Sequence, residues 1–191
     1  MPAPQEIFSK SEPPLTSGSC LLKIPQAAKI VQKALLFFEG KRYYLSAWCI
    51  MPNHIHLILA PIGEHRLSEI LHSLKSYTSN QINKALGRKG PLWERESFDH
   101  LIRSTDPYEK FISYIELNPV EAGLCQKPED WAYSSCGAGF QPAPDLEFIE
   151  PSKMPFVPLQ DRGELPHLYK EGGTYFITFR LADAVVYRKK S

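Results

Sequence analysis

Four side chains in this sequence stand at spacings that suit chemistry: His54 and His56, one residue apart, and Tyr114 and Asn118, four apart. Residues alternate across a β-strand. In the run Met51-Pro-Asn-His-Ile-His-Leu-Ile-Leu-Ala60, both imidazoles therefore share one face while Ile55, Leu57 and Leu59 take the other. Two imidazoles side by side on a rigid strand make half of a divalent-metal site. On the pair alone a metal site and a structural role are both open, because the chain holds six histidines. Tyr114 and Asn118 would lie on one face of a helix with Cβ atoms about 6 Å apart. An amide oxygen is a hard ligand suited to Mg²⁺ or Mn²⁺, and the phenol beside it could be aimed at a phosphate. Read together, these residues suggest a metal-assisted tyrosine nucleophile. Most of the nine tyrosines are expected at the edge of the core. Tyr77, with Gln81 four residues on, is the competitor on spacing, and Tyr108 has no such partner.

The elements that must position these groups follow from periodicity. Ala28, Val31, Leu35 and Phe38 recur at helical spacing between Pro25, suited to a first turn, and Gly40, suited to a stop. Residues 41–50 are β-rich, and Pro52-Asn53 breaks them before the histidine strand, which predicts an antiparallel hairpin. A long amphipathic helix follows over about 67–86, with Ile70, Leu71, Leu74, Tyr77, Ile82 and Leu86 inward. A short strand is expected at 98–101. A helix opening at Asp106-Pro107 is expected to halt near Asn118-Pro119, with a short helix over 120–122 closing at Gly123. Trp131 and Tyr133 should cover the core. Residues 1–19 read as irregular and 137–166 as a Pro-rich linker, yet Gly172-Gly-Thr-Tyr-Phe-Ile-Thr-Phe-Arg180 is as good a strand as any before it.

With 191 residues there is room for one ordinary domain and a tail. No apolar run would span a bilayer and the N-terminus lacks a secretory pattern, so a cytoplasmic protein is the expectation. Cys20, Cys49, Cys125 and Cys136 form no Cys-x-x-Cys pair, which argues against a zinc ribbon or a disulfide framework. A net charge of +1 argues against non-specific coating of duplex DNA. Any nucleic-acid contact must use a local patch, for which Lys75, Lys84, Arg88, Lys89, Arg95 and Arg103 are candidates against the plainer reading of solvated surface. Trp93 and Tyr77 could stack on bases, with core-edge packing as the alternative.

Several blocks in register identify a resemblance. Tyr44-Leu-Ser-Ala-Trp-Cys-Ile-Met-Pro-Asn-His-Ile-His-Leu57 is followed by Phe98-Asp-His-Leu-Ile-Arg-Ser104. Tyr114-Ile-Glu-Leu-Asn-Pro-Val-Glu-Ala-Gly-Leu124 and Glu129-Asp-Trp-Ala-Tyr-Ser-Ser135 come next. Over about residues 18–136 the chain resembles the single-tyrosine HUH transposases of the IS200-like type, most closely the REP-associated tyrosine transposases. The resemblance implies an α+β, ferredoxin-like HUH domain with a mainly antiparallel sheet. It also implies Tyr114 as nucleophile, His54, His56 and Asn118 as ligands of Mg²⁺ or Mn²⁺, and a single-stranded DNA hairpin as substrate. The implied reaction is cleavage and strand transfer through a 5′-phosphotyrosine. Lys75, Arg95 and Arg103 are the candidate DNA contacts, and the protein is expected to be a monomer or a homodimer.

One departure from the family has consequences. Its first-strand block, reading here Tyr169 to Arg180, stands at the C-terminal end. Without it the histidine strand would have an open edge. The expected organisation is an irregular segment at 1–19, a transposase-like domain at 20–136, a linker at 137–166, and a strand and tail at 167–191 that complete the sheet. About thirty linker residues span a small domain with length to spare. Strand donation to a second protomer over 173–180 is the alternative. If displacement of the strand impaired catalysis, the chain would instead be a hairpin-binding protein that no longer cleaves.

Overall fold

The structure, a computed structural model, describes residues 19–142 and 173–183. The irregular segment expected at 1–19 and the linker at 137–166 fall almost wholly outside these residues, as does the end of the tail. Among the described residues there are four strands and three α-helices: α1 (Pro25–Phe37), β1 (Tyr43–Ile50), β2 (His54–Pro61), α2 (Leu67–Ala85), β3 (Phe98–Leu101), α3 (Thr105–Glu121) and β4 (Tyr175–Arg180). No helix among them is long and apolar enough to cross a membrane.

The four strands form one antiparallel sheet in the order β1-β2-β4-β3. Counted from β4 as the first strand, that order is 2-3-1-4, the ferredoxin-like arrangement, so the fold is α+β as the resemblance implied. The relocated strand enters the middle of the sheet and closes the edge of β2 that would otherwise stand open. Its pairing is long range but well specified. Tyr175, Ile177 and Phe179 point to one face and Phe176 and Thr178 to the other, so a slip of one residue would reverse all of them. On its outer side β1 meets residues 133–135, whose backbone bonds Ile50 N to Tyr133 O at 2.8 Å and Ser135 N to Trp48 O at 2.8 Å. The expected cover by Trp131 and Tyr133 takes this form.

Each face of the sheet has its own core. On one side Trp48, Ile55, Leu57, Leu59, Tyr175, Ile177 and Phe179 pack against the inward stripes of α1 and α2. On the other, Ala47, Cys49, Met51, Ile58 and Phe176 pack against Phe111 and Ile115 of α3. Alternation puts His54 and His56 on this second face.

Two helix readings are corrected. Tyr77 is not inward: it is 55% exposed, and Thr78 takes the core position in the series Leu71, Leu74, Thr78, Ile82. Spacing alone left the phase of the stripe one residue uncertain; Thr78 decides it by accepting the Trp93 Nε1 hydrogen at 2.9 Å while its own hydroxyl donates to Leu74 O. The last helix does not halt before Pro119 but runs through it to Glu121, absorbing the separate turn expected at 120–122. A proline so near a C-terminus removes only the bond to Ile115 O. The turn beyond is re-formed by Ala122 N to Asn118 O and Leu124 N to Pro119 O before Gly123, at φ +67°, ends it.

Candidate active site

The eight residues of β2 are all buried, including His54 and His56. Burying two imidazoles is tolerable only when their nitrogens have partners, and each ring has one on its inner side. Nδ1 of His54 lies 2.7 Å from Asn53 Oδ1, and Nδ1 of His56 lies 2.8 Å from Thr178 Oγ1. An amide oxygen only accepts, so the His54 proton sits on Nδ1 and its Nε2 carries a lone pair; the Thr178 hydroxyl, which both donates and accepts, serves His56 Nδ1 in either tautomer. The two Nε2 atoms face each other at hydrogen-bond distance, 2.9 Å apart, with the rings at 76°.

That separation suits a shared cation. Two neighbouring ligands of an octahedral ion at about 2.1 Å are themselves about 3 Å apart. No cluster of three or more His, Cys, Asp or Glu that could hold a metal occurs among the described residues. Among the described residues any further ligand must be of another type, and an amide is suited to that role.

Tyr114 comes to the same place from the opposite element. Its ring centroid is 5.3 Å from that of His56, edge-on, and 6.1 Å from that of Phe176. Phe176 stacks on Phe111 at 4.7 Å and lies nearly parallel to the His56 ring, so strand and helix are locked together by one aromatic layer. Asn118 follows Tyr114 by one turn and is 6% exposed, in the helix that packs on β1 and β2. His54, His56 and Tyr114 are thus gathered on one face of the sheet, and Asn118 is buried in the helix that covers it.

The candidate cation Lys75 is not among them. Lys75 is on α2, across the sheet from the histidines, where its ammonium donates to the carbonyls of Glu94, Arg95 and Glu96 and lies 5.8 Å from the centre of the Phe179 ring. Arg95 and Arg103 are exposed, on the segments before and after β3. Trp93 is buried and bonded to Thr78, the packing role rather than the stacking one. Tyr77, the competitor on spacing, lies on α2 with Lys75.

Burial pushes the Lys75 ammonium down to about 8, against the pull of Glu96 and Glu94. Between that value and the ordinary lysine range the unfolded chain binds the extra proton, so this group makes stability rise with pH across the window. Urea midpoints of wild type and Lys75→Met at pH 7 and 9.5 should therefore differ in slope, wild type gaining more. The subtraction removes the opposite contribution of Cys49, whose buried thiol is pushed up.

Three site residues carried no signal in the sequence. Asn53 was read only as a turn residue. Strand pairing sets Thr178, which bonds His56, opposite that residue and Arg180 opposite His54. The regularity of the β4 run was the one available hint.

The comparisons with known proteins agree with this fold. A model of the family described as "Transposase IS200 like" matches residues 26–118. The matched segment is similar to the IS200-like transposases. The REP-associated tyrosine transposase of Escherichia coli (strain K12) is 31% identical over 98 residues, 51% of this chain and 56% of that protein. A relative from Haemophilus influenzae is likewise 31% identical, over 99 residues. The chain spans about half the length of the curated relatives it matches. A solved structure of a REP-associated tyrosine transposase bound to a REP hairpin superposes with a TM-score of 0.52 at 28% identity, over 68% of this chain and 79% of that one. The family match ends at Asn118, so β4 lies outside it; its place in the sheet rests on the fold alone.

Proposed function

We propose that this protein cuts single-stranded DNA beside a hairpin and transfers the strand, with Tyr114 as nucleophile and His54, His56 and Asn118 as ligands of Mg²⁺ or Mn²⁺. The biological setting is DNA transposition or the processing of REP elements. The observation that carries the reading is the convergence of both Nε2 atoms beside the Tyr114 ring on a single sheet face.

In the reaction the Tyr114 Oη bonds to a backbone phosphorus as the bond from phosphorus to the 3′-oxygen breaks. The phenolic proton leaves, the departing 3′-oxygen takes one up, and a 5′-phosphotyrosine results. Attack by a different 3′-hydroxyl reverses these steps and joins strands, and since the phosphodiester energy is kept in the covalent link no nucleotide is consumed. A phenol near pKa 10 is a weak nucleophile at neutral pH, so a bound divalent cation would supply polarisation of the phosphate and offset the charge that develops. His54 and His56 hold their Nε2 atoms toward the phosphate position, Asn53 and Thr178 fix their orientation, and the Phe176 layer keeps the phenol in line.

The alternative, a hairpin binder unable to cleave, was motivated by displacement of the first strand. With Thr178 of that strand bonded to His56, the motive weakens.

Incubation with a labelled hairpin oligonucleotide carrying a single-stranded extension, in Mn²⁺, tests the proposal. An adduct stable to denaturing detergent is expected. A gel shift without adduct would favour the binder, and neither would remove both readings. Thr178→Val should weaken Mn²⁺ binding by about 10–100-fold, because a buried Nδ1 without its partner no longer fixes the ring. Titration calorimetry on the metal-free protein measures this directly.

A further inference from the structure

The side chain that the reaction above leaves unused is Arg180, the last residue of β4. It stands directly opposite His54 in the antiparallel pairing, so it leaves the sheet on the face that carries both histidines, on a strand about 4.8 Å away. Its backbone is held, since Arg180 O accepts the Glu94 N–H at 2.9 Å. The side chain is half-buried, and its Nε is enclosed without a hydrogen-bond partner among the described residues.

The enclosed Nε leaves the terminal nitrogens, which are not enclosed and unmatched in the same way, as the donors an incoming acceptor would meet. The guanidinium is charged at every working pH, and its planar fork matches two oxygens of a phosphate. Lys75, by contrast, is engaged on the far face, and Arg95 and Arg103 leave from exposed segments flanking β3.

We propose that Arg180 grips a non-bridging oxygen of the DNA phosphodiester lying over His54 and His56, and so fixes the single strand for attack by Tyr114. This rests on the functional reading above. The fork supplies binding and orientation in the absence of any metal, which separates its role from that of the histidines.

The test is binding of the hairpin with its single-stranded extension, in EDTA, followed by anisotropy over a salt series. Arg180→Gln is expected to bind about tenfold more weakly than wild type. Its plot of log affinity against log salt should be shallower by about 0.7, one single-strand phosphate contact. Arg180→Lys, which keeps the charge without the fork, should restore the slope but only part of the affinity. Replacing the target phosphate by a neutral methylphosphonate should weaken wild type by a similar factor and leave Arg180→Gln no weaker. Wild type indifferent to methylphosphonate at every step of the extension would overturn the proposal, whatever the variants' folding. So would an Arg180→Gln protein with wild-type affinity and slope. If wild type neither binds the hairpin nor forms an adduct, the functional reading fails with it; an adduct formed equally by wild type and Arg180→Gln removes the Arg180 proposal alone.

Discussion

Ending the chain at residue 172 is expected to abolish cooperative folding. The strand removed contributes Tyr175, Phe176, Ile177 and Phe179, each at most 2% exposed, to both cores at once. At roughly 1.5–3 kcal/mol for each side chain withdrawn from water, their burial is worth about 6–12 kcal/mol. The whole stability of a domain is about 5–15 kcal/mol. Removal would also leave β2 and β3 without a common neighbour, exposing the backbone of two strand edges. Phe176→Ala is the graded version, with an expected loss of about 3–5 kcal/mol. It should be felt at the site as well, because Phe176 is the ring that His56 and Tyr114 both touch. Thermal melts followed by circular dichroism check both. A truncated chain that melts like the full one would mean the strand is no part of the domain.

Tyr114→Phe is expected to leave fold and hairpin affinity nearly unchanged while removing covalent chemistry altogether. The ring keeps its edge contact with His56 and Phe176, and only the oxygen is lost. Since that oxygen is the atom proposed to bond to phosphorus, adduct formation should fall by at least ~10⁴-fold, below detection in an ordinary gel assay. Anisotropy with the same oligonucleotide, run beside the adduct assay, separates the two effects. Cleavage persisting in the variant would transfer the role to another residue.

Much of this architecture could be read from local pattern. The His54–Ala60 alternation, the hairpin before it and the short strand at 98–101 matched what formed, because each rests on a two-residue period or a turn signal that needs no distant partner. The same holds for setting His54 beside His56. What local pattern did not carry was contact between distant segments. Thr178 meets His56 across 122 residues, and Arg180 meets His54 through the same register, so neither could be assigned before that register was known. Lys75 reads as a surface cation until the carbonyls of residues 94–96 are found around it. Tyr77 and Pro119 erred for another reason: a helical stripe tolerates a one-residue shift in phase, and a proline close to a helix end costs a single hydrogen bond. The division of the chain into segments at 1–19, 20–136, 137–166 and 167–191 remains a proposal.

The most direct test is to digest the Mn²⁺-dependent adduct with protease and nuclease and to sequence the peptide that retains a nucleotide. The expected result is one modified peptide, containing Tyr114, with the 5′-phosphate on the phenolic oxygen. A nucleotide on Tyr77, Tyr108 or any other side chain would contradict it.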